Sequence, residues 1–262
     1  MKLIVQIPCY NEEETLPATL ADIPREVPGF GEVEILVIDD GSTDRTAEVA
    51  REHGVHHVVR HVGNKGLAAA FRAGLDTSLR LGADIIVNTD GDNQYFGGDI
   101  PRLVEPILRG TADMVIGCRD IDSVPDFSRA KKLLQKLGSW VVRRISGTRV
   151  ADTTSGFRAY SREAALRINV VSRFSYTLET IIQAGQKNMA ITWVPVRVNE
   201  NLRPSRLVRS IPSYVWRSII TIVRIFVIYR PFRFFGTVAL ILIVSGVLLG
   251  ARYLWFLARD PK

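Results

Sequence analysis

Short apolar runs alternate, through the first half of the chain, with longer stretches in which Leu and Ala recur every three or four positions. The runs at 3–7, 33–38, 55–59, 85–87 and 114–116 have strand length and end in Gly-, Asp- or Pro-containing turns. The stretches at 12–22, 43–53, 65–81 and 100–109 have helical periodicity. Alternation of the two predicts an α/β fold: a mostly parallel sheet flanked by helices. Ligands of such sheets bind in the crevice beyond the carboxyl ends of the strands. A chain of 262 residues can bury one good core and still carry an accessory segment.

The second half is less regular. Residues 129–145 predict a basic amphipathic helix carrying Arg129, Lys131, Lys132, Lys136, Arg143 and Arg144; 177–187 predict a helix and 191–198 a strand. From Pro212 the pattern changes. Ser213, Arg217, Thr221 and Arg224 form a polar stripe at helical spacing, with Val215, Ile219, Ile222, Val223 and Phe226 around the rest. That suits a helix lying in a membrane interface. Pro231 ends it, and 234–251 then carry no charge, which is long enough to cross a bilayer core. The expected organisation is a sheet domain over 1–210, an interfacial helix over 211–231, a transmembrane helix over 232–258 and a tail of 259–262.

Charge narrows the partners. The formal net charge is +7. Its cations concentrate beside the apolar tail rather than on one helix or RNA-binding motif, which points to lipid headgroups and phosphates and away from nucleic acid. Cys9 and Cys118 stand far apart and in no metal spacing, as expected of a reduced, cytosol-facing domain. The first eight residues are too short for a secretory leader and read as a first strand. His53, His56, His57 and His61 gather near one turn without a catalytic partner pattern.

Candidate chemistry sits in two acidic turns. Asn88-Thr89-Asp90-Gly91-Asp92-Asn93-Gln94 follows the apolar run ending at Val87, and Asp39-Asp40-Gly41-Ser42-Thr43-Asp44 follows the run ending at Ile38. Two carboxylates one residue apart at the end of a strand can hold a hard divalent cation such as Mg²⁺ or Mn²⁺ and leave positions for phosphate. Arg119 follows a strand at the same sheet edge and has the planar fork that suits phosphate. Neither a dinucleotide-type glycine fingerprint nor a Walker-type loop is present.

The order and spacing of Pro8-x-Tyr10-Asn11-Glu12, Asp39-Asp40-Gly41-Ser42-x-Asp44, Asn64-x-Gly66, Asp90-x-Asp92-x-Gln94, Gly117-x-Arg119, Ser155-Gly156-Phe157-Arg158 and Phe174-x-Tyr176-x-x-Glu179 resemble the family 2 glycosyltransferases of the polyprenyl-phosphate type, which include dolichol-phosphate mannose synthases. The resemblance covers nearly all of 1–233. It implies a GT-A fold and inverting transfer of a hexose from a nucleotide sugar, of the GDP-mannose or UDP-glucose type, to the phosphate of a membrane polyprenol or dolichol. It also implies that Pro8, Tyr10, Glu12, Asp39, Asp40 and Asp90 line the nucleotide pocket, and that Asp90, Asp92 and Gln94 surround Mg²⁺ or Mn²⁺. Asp92 and Arg119 are then the catalytic residues, with Arg119 meeting the acceptor phosphate. Arg129, Lys132, Arg203, Ser205 and Arg206 are further candidates for acceptor or diphosphate contact.

Transfer to a hydroxyl needs a general base, and the Asp that many family 2 enzymes place after a Glu reads Thr180 here, after Glu179. An acceptor phosphate is already ionised. The substitution therefore favours a lipid phosphate, with Asp152 and Glu179 as the remaining candidate bases. The alternatives are a hydroxyl-directed transferase of the same family and a non-catalytic nucleotide-binding membrane scaffold. Arg224, Arg230 and Arg233 before the span place the sheet domain on the cytoplasmic face of an integral membrane protein, against Arg252, Arg259 and Lys262 after it. A homo-oligomer stays open, as does the identity of the sugar.

Overall fold

The computed structural model describes residues 1–119, 139–140, 142–143, 146–148, 150–171, 176–199, 216, 219–220, 223–224, 227 and 231–259. Strands β1 (Lys2–Cys9), β2 (Glu32–Asp39), β3 (His57–Arg60), β4 (Ile85–Asn88), β5 (Met114–Cys118), β6 (Arg158–Ser161) and β7 (Ile191–Pro195) form one sheet in the order β3-β2-β1-β4-β6-β5-β7. Only β6 runs against the rest, pairing antiparallel with both β4 and β5. The carboxyl ends of β1, β2, β4 and β5 therefore share one edge, and the chain enters β6 from that same edge.

Helices α1 (Leu16–Asp22), α2 (Thr46–Glu52), α3 (Leu67–Arg80), α4 (Ile100–Leu108), α5 (Arg162–Arg167) and α6 (Thr177–Gln186) accompany the sheet. Two apolar layers result because successive strand side chains point to opposite faces. Leu3, Val5 and Ile7 pack with Leu16, Leu20, Ile100 and Leu103, whereas Ile4, Leu36 and Ile38 pack with Phe71, Leu75 and Ile181. Strands buried on both faces read as continuous apolar runs, which is why β1, β2, β4 and β5 lie where the sequence pattern predicts.

Several bounds differ from expectation, each for a local reason. Helix α1 begins at Leu16 rather than at residue 12, with Pro17 in its first turn, where a missing N–H costs nothing. Residues 11–15 instead tie back to the turn after β2: Asn11 N donates to Ser42 Oγ at 2.9 Å and Glu12 N to Thr46 Oγ1 at 2.8 Å. Strand β3 is displaced to His57–Arg60. Strand β6 was not expected, since it is four residues long and opens on a charged side chain, Arg158, that is fully buried. The strand expected over 191–198 stops at Pro195, and the chain crosses to pair at Val198 with Tyr95.

At the other end, α7 (Pro231–Arg259) is one helix, and an 18-residue window within Pro231–Phe256 reaches a mean hydropathy of 2.4 with none of its residues buried. It is the one helix among the described residues long and apolar enough to cross a membrane. Arg252 lies against the Phe256 ring and Arg259 against Trp255. Of the expected interfacial helix, Trp216, Ile219, Ile220, Val223, Arg224 and Val227 are helical and the rest lies outside the described residues. The same holds for most of the basic helix over 129–145, for Phe174, and for the candidates Arg129, Lys132, Arg203, Ser205 and Arg206.

Candidate active site

The two acidic turns meet at the carboxyl edge of the sheet but are built differently. In the turn after β2, nearly every carboxylate oxygen accepts a local donor. Asp39 Oδ1 accepts from Ser42 N at 2.8 Å, and its Oδ2 lies 3.1 Å from Arg60 Nε. Asp40 Oδ1 accepts from Lys65 N at 3.0 Å and sits 2.7 Å from His61 Nδ1, while its Oδ2 accepts from Gly66 N at 2.7 Å. Asp40 thereby holds the loop that opens α3, and both its oxygens are committed to that loop. Asp44 accepts from Thr46 N and Glu13 N; burial opposes this, but the hydrogen bonds from Thr46 and Glu13 win and hold its carboxyl below the usual range. Asn11, at φ 56°, closes the same turn by accepting from Thr43 N.

The turn after β4 leaves its acids open. No hydrogen-bond donor among the described residues reaches the Asp90 carboxylate, and Asp92 accepts only from Gln94 N, at 3.2 Å. Burial first, and then the neighbouring Asp92 charge, push Asp90 up to about 7; Arg119 and Arg158 pull the other way. A pair of carboxylates in this condition lacks a positive charge. Asp90, Asp92 and the Gln94 amide supply oxygen ligands of the kind Mg²⁺ and Mn²⁺ prefer, so the residues present fit such a cation. No group of three His, Cys, Asp or Glu side chains is placed to hold a metal among the described residues, so a cation here would need further oxygens from its ligand.

The acids are held in place from beneath. Glu12 is buried under the turn after β4, where its Oε2 accepts from Thr15 Oγ1, and Thr15 Oγ1 and Thr19 Oγ1 both reach the Gly91 carbonyl. Gln6 donates to Asn88 Oδ1 at 2.9 Å; Asn88 donates to the Gly156 carbonyl at 2.9 Å and to the Tyr176 hydroxyl at 2.8 Å. Gly156 allows a close approach that no other residue would: a Cβ there would lie 2.7 Å from Asp90 Oδ2. Pro8 is the buried penultimate residue of β1, whereas Tyr10 is 40% exposed at the mouth of the crevice.

Arg119 does not stand alone at this edge. Its Nε donates to Asp152 Oδ2 at 2.8 Å and its Nη2 to Asp152 Oδ1 at 3.2 Å and Thr154 Oγ1 at 3.0 Å; Nη1 reaches Gln94 Oε1 at 3.3 Å. Burial would raise Asp152, but the Arg119 charge and its hydrogen bonds outweigh it and hold the carboxyl low. Arg158 is the other buried cation among the described residues. It donates only to neutral groups, the carbonyls of Ser155, Thr177 and Thr153 and the hydroxyl of Thr180, and so locks the 153–158 loop to α6. Of the two candidate bases, Asp152 is held ionised by Arg119, and Glu179 accepts from Val171 N at 2.9 Å. Of the histidines, His61 bonds the candidate Asp40, whereas His57 bonds Glu34 and His56 accepts from Ile35 N.

Comparison with known proteins places the family and the fold. Residues 4–168 match the model of the family described as "Glycosyl transferase family 2". The chain belongs to glycosyl transferase family 2. Within the family it is 30% identical over 210 residues to the polyprenol monophosphomannose synthase of Mycolicibacterium smegmatis, covering 76% of this chain and 78% of that protein. It is 28% identical over 214 residues to the UDP-N-acetylglucosamine–dolichyl-phosphate N-acetylglucosaminyltransferase of Methanococcus voltae, covering 73% and 83%. Among solved structures it resembles the glucosyl-3-phosphoglycerate synthase of Mycobacterium tuberculosis in complex with Mn²⁺, UDP and phosphoglyceric acid, with a TM-score of 0.66 at 20% identity over 84% of this chain and 78% of that one. That likeness establishes the GT-A-type fold of this family 2 chain.

Proposed function

We propose that this family 2 glycosyltransferase moves a hexose, with inversion, from a nucleotide sugar to the phosphate of a membrane polyprenol. The observation that carries the reading is the open pair Asp90 and Asp92 at one sheet edge, beside a buried Arg119, in a chain that also bears a bare apolar helix. The names of the Mycolicibacterium and Methanococcus relatives, both acting on polyprenyl-type phosphates, support the acceptor; they differ in the sugar, and the donor here stays at the level of a nucleotide hexose.

Mg²⁺ or Mn²⁺ held by Asp90, Asp92 and Gln94 would neutralise the charge that grows on the departing nucleoside diphosphate. The nucleoside is expected against Pro8, Tyr10, Glu12 and Asp39, with Asp40 shaping the pocket through the 61–66 loop. Arg119 uses four of its five N–H groups on Asp152, Thr154 and Gln94, which leaves one N–H on Nη1 to meet the acceptor phosphate. Arg129, Lys132, Arg203, Ser205 and Arg206 are proposed to complete the anion-binding set. Positioning and charge stabilisation then supply the acceleration, since an ionised phosphate attacks without losing a proton.

Two acids that could serve a hydroxyl acceptor as base, Asp152 and Glu179, are committed to Arg119 and to the Val171 amide. That commitment favours the phosphate over a hydroxyl. The proposed arrangement is the sheet domain over 1–210 on the cytoplasmic face, an interfacial helix over 211–231, and a membrane-crossing helix over 232–258. Offering polyprenyl phosphate and free polyprenol in parallel tests the acceptor. Transfer to the phosphate alone is expected, and equal transfer to the free alcohol would remove the basis of the assignment.

A further inference from the structure

The metal loop carries one residue in a conformation that side chains avoid. Asn93, between the candidate ligands Asp92 and Gln94, has φ 57°. Left-handed backbone is unfavourable for residues with a Cβ; Asn adopts it more readily than most, and a hydrogen bond to its side chain holds it there. The φ at this position sets the direction of Gln94 relative to Asp92.

What holds Asn93 comes from a segment more than a hundred positions later in the chain. Asn199 Nδ2 donates to Asn93 Oδ1 at 3.1 Å and to Asp22 Oδ2 at 2.7 Å. The Asn199 backbone N donates to the Gln94 carbonyl at 3.0 Å, Val198 pairs with Tyr95, and Phe96 N donates to the Arg197 carbonyl at 3.3 Å. Arg197 completes the clasp: its N and its Nη2 each reach a different oxygen of the buried Asp99 at 2.7 Å, with the guanidinium 4.1 Å from the Phe96 ring centre. Residues 93–99 are thus bonded along their length to 197–199, and Asn199 is the one member whose side chain touches the left-handed residue.

We infer that Asn199 is a positioning residue of the metal loop: by holding Asn93 in its left-handed turn it sets Asp92 and Gln94 in the directions a cation requires. The inference rests on the reading of Asp90, Asp92 and Gln94 as metal ligands. It assigns no chemistry to Asn199, which acts only through Asn93. A glycine at position 93 would adopt the same φ without a brace. Loss of Asn199 should therefore be reparable at a second site, which a general weakening of the fold would not allow.

The test titrates Mn²⁺ into the full chain in detergent, with UDP in one arm and GDP in another, and follows the free-Mn²⁺ paramagnetic resonance signal alongside the thermal unfolding midpoint. Groups that orient metal ligands are worth about 10–100-fold in metal affinity, so Asn199→Ala should weaken Mn²⁺ binding by at least about tenfold. Asn93→Gly should bind nearly as the wild type does, and Asn93→Gly in the Asn199→Ala background should recover most of the loss. If Asn199→Ala does not fold, Asp22→Ala removes the second partner of the same amide and should give a smaller loss of Mn²⁺ affinity on an intact fold. Unchanged Mn²⁺ binding in Asn199→Ala, or in Asp22→Ala where that variant carries the test, overturns the inference. So does a double variant no better than Asn199→Ala alone. A wild-type chain that binds no Mn²⁺ in either arm overturns the ligand assignment itself, and the inference with it.

Discussion

The turns after β2 and after β4 look alike as text, Asp39-Asp40-Gly41 against Asp90-Gly91-Asp92, yet they do opposite work. In the first, the acids accept hydrogen bonds from Ser42, Lys65 and Gly66 and an ion pair from Arg60, and the result is a fixed loop that opens α3. In the second, Asp90 has no donor among the described residues, and its carboxyl rises to about 7 because burial and Asp92 both disfavour its charge. Asp40, both of whose oxygens are used, builds structure, although Asp39 Oδ2 beside it is buried without a hydrogen bond. An acid left short of positive charge awaits a ligand. Arg119 shows the same division among cations: it answers Asp152 bidentately, although it lies at the same edge as the unanswered pair.

This contrast can be broken experimentally. Arg119→Ala would leave Asp152, whose side chain is 1% exposed, as a buried charge without its partner. Breaking a buried pair in this way costs about 3–5 kcal/mol, so a fall of that size in urea-unfolding free energy is expected in addition to any loss of transfer. A loss of transfer with unchanged stability would mean that Arg119 serves the ligand and not Asp152. Next in size is Asp40→Ala, which strips acceptors from Lys65 N and Gly66 N. Hydrogen bonds to a charged group are worth about 1.5–3 kcal/mol, so roughly 3 kcal/mol of stability should go, with nucleotide binding weakened only through the loop. Equal stability with nucleotide binding abolished would place Asp40 in the pocket and collapse the contrast.

The smallest effect concerns protons. The ordinary aspartate value is 3.8 and Asp90 stands near 7, so between those values the metal-free fold binds a proton that the unfolded chain has lost. The Asp90 contribution to stability therefore falls as pH rises through that window and is flat above it. A cation expels the proton. Mn²⁺ binding at pH 6 should release close to one proton and at pH 8 almost none, as read by calorimetry in buffers of different ionisation enthalpy. Equal release at both would show that Asp90 is not the group displaced.

Much of this was legible from residues alone, and the rest was hidden for physical reasons. Strands β1, β2, β4 and β5 are buried on both faces and announce themselves as apolar runs, and α3 follows its Leu and Ala spacing as α4 follows its Ile, Leu and Val spacing. Strand β6 did not, because the N–H groups of Arg158 at its head are satisfied by tertiary partners that only the fold supplies. The strand expected over 191–198 was cut short because Val196 is the last residue to bond β5, while Arg197 and Asn199 take partners in 94–96, a pairing across a hundred positions. That Asp90 and Asp92 meet at one strand end was legible from their spacing, and Arg119 was legible through the family resemblance and its place after β5. That Arg119 pairs with Asp152, that Asp40 serves a loop, and that Asn199 braces Asn93 was not, since each depends on contacts distant in the chain.

The central claim is that the open carboxylate pair serves sugar transfer to a lipid phosphate. Its most direct measurement is transfer in detergent, with polyprenyl phosphate, Mn²⁺ or Mg²⁺ and a panel of labelled nucleotide sugars, comparing the wild type with Asp92→Asn. Removing one charge-stabilising group of an active site costs about 10²–10³ in rate, so metal-dependent labelling of the lipid should be seen with the wild type and nearly vanish in the variant. Wild-type labelling that Asp92→Asn preserves, or the lack of labelling with any donor despite measurable nucleotide binding, would contradict the account.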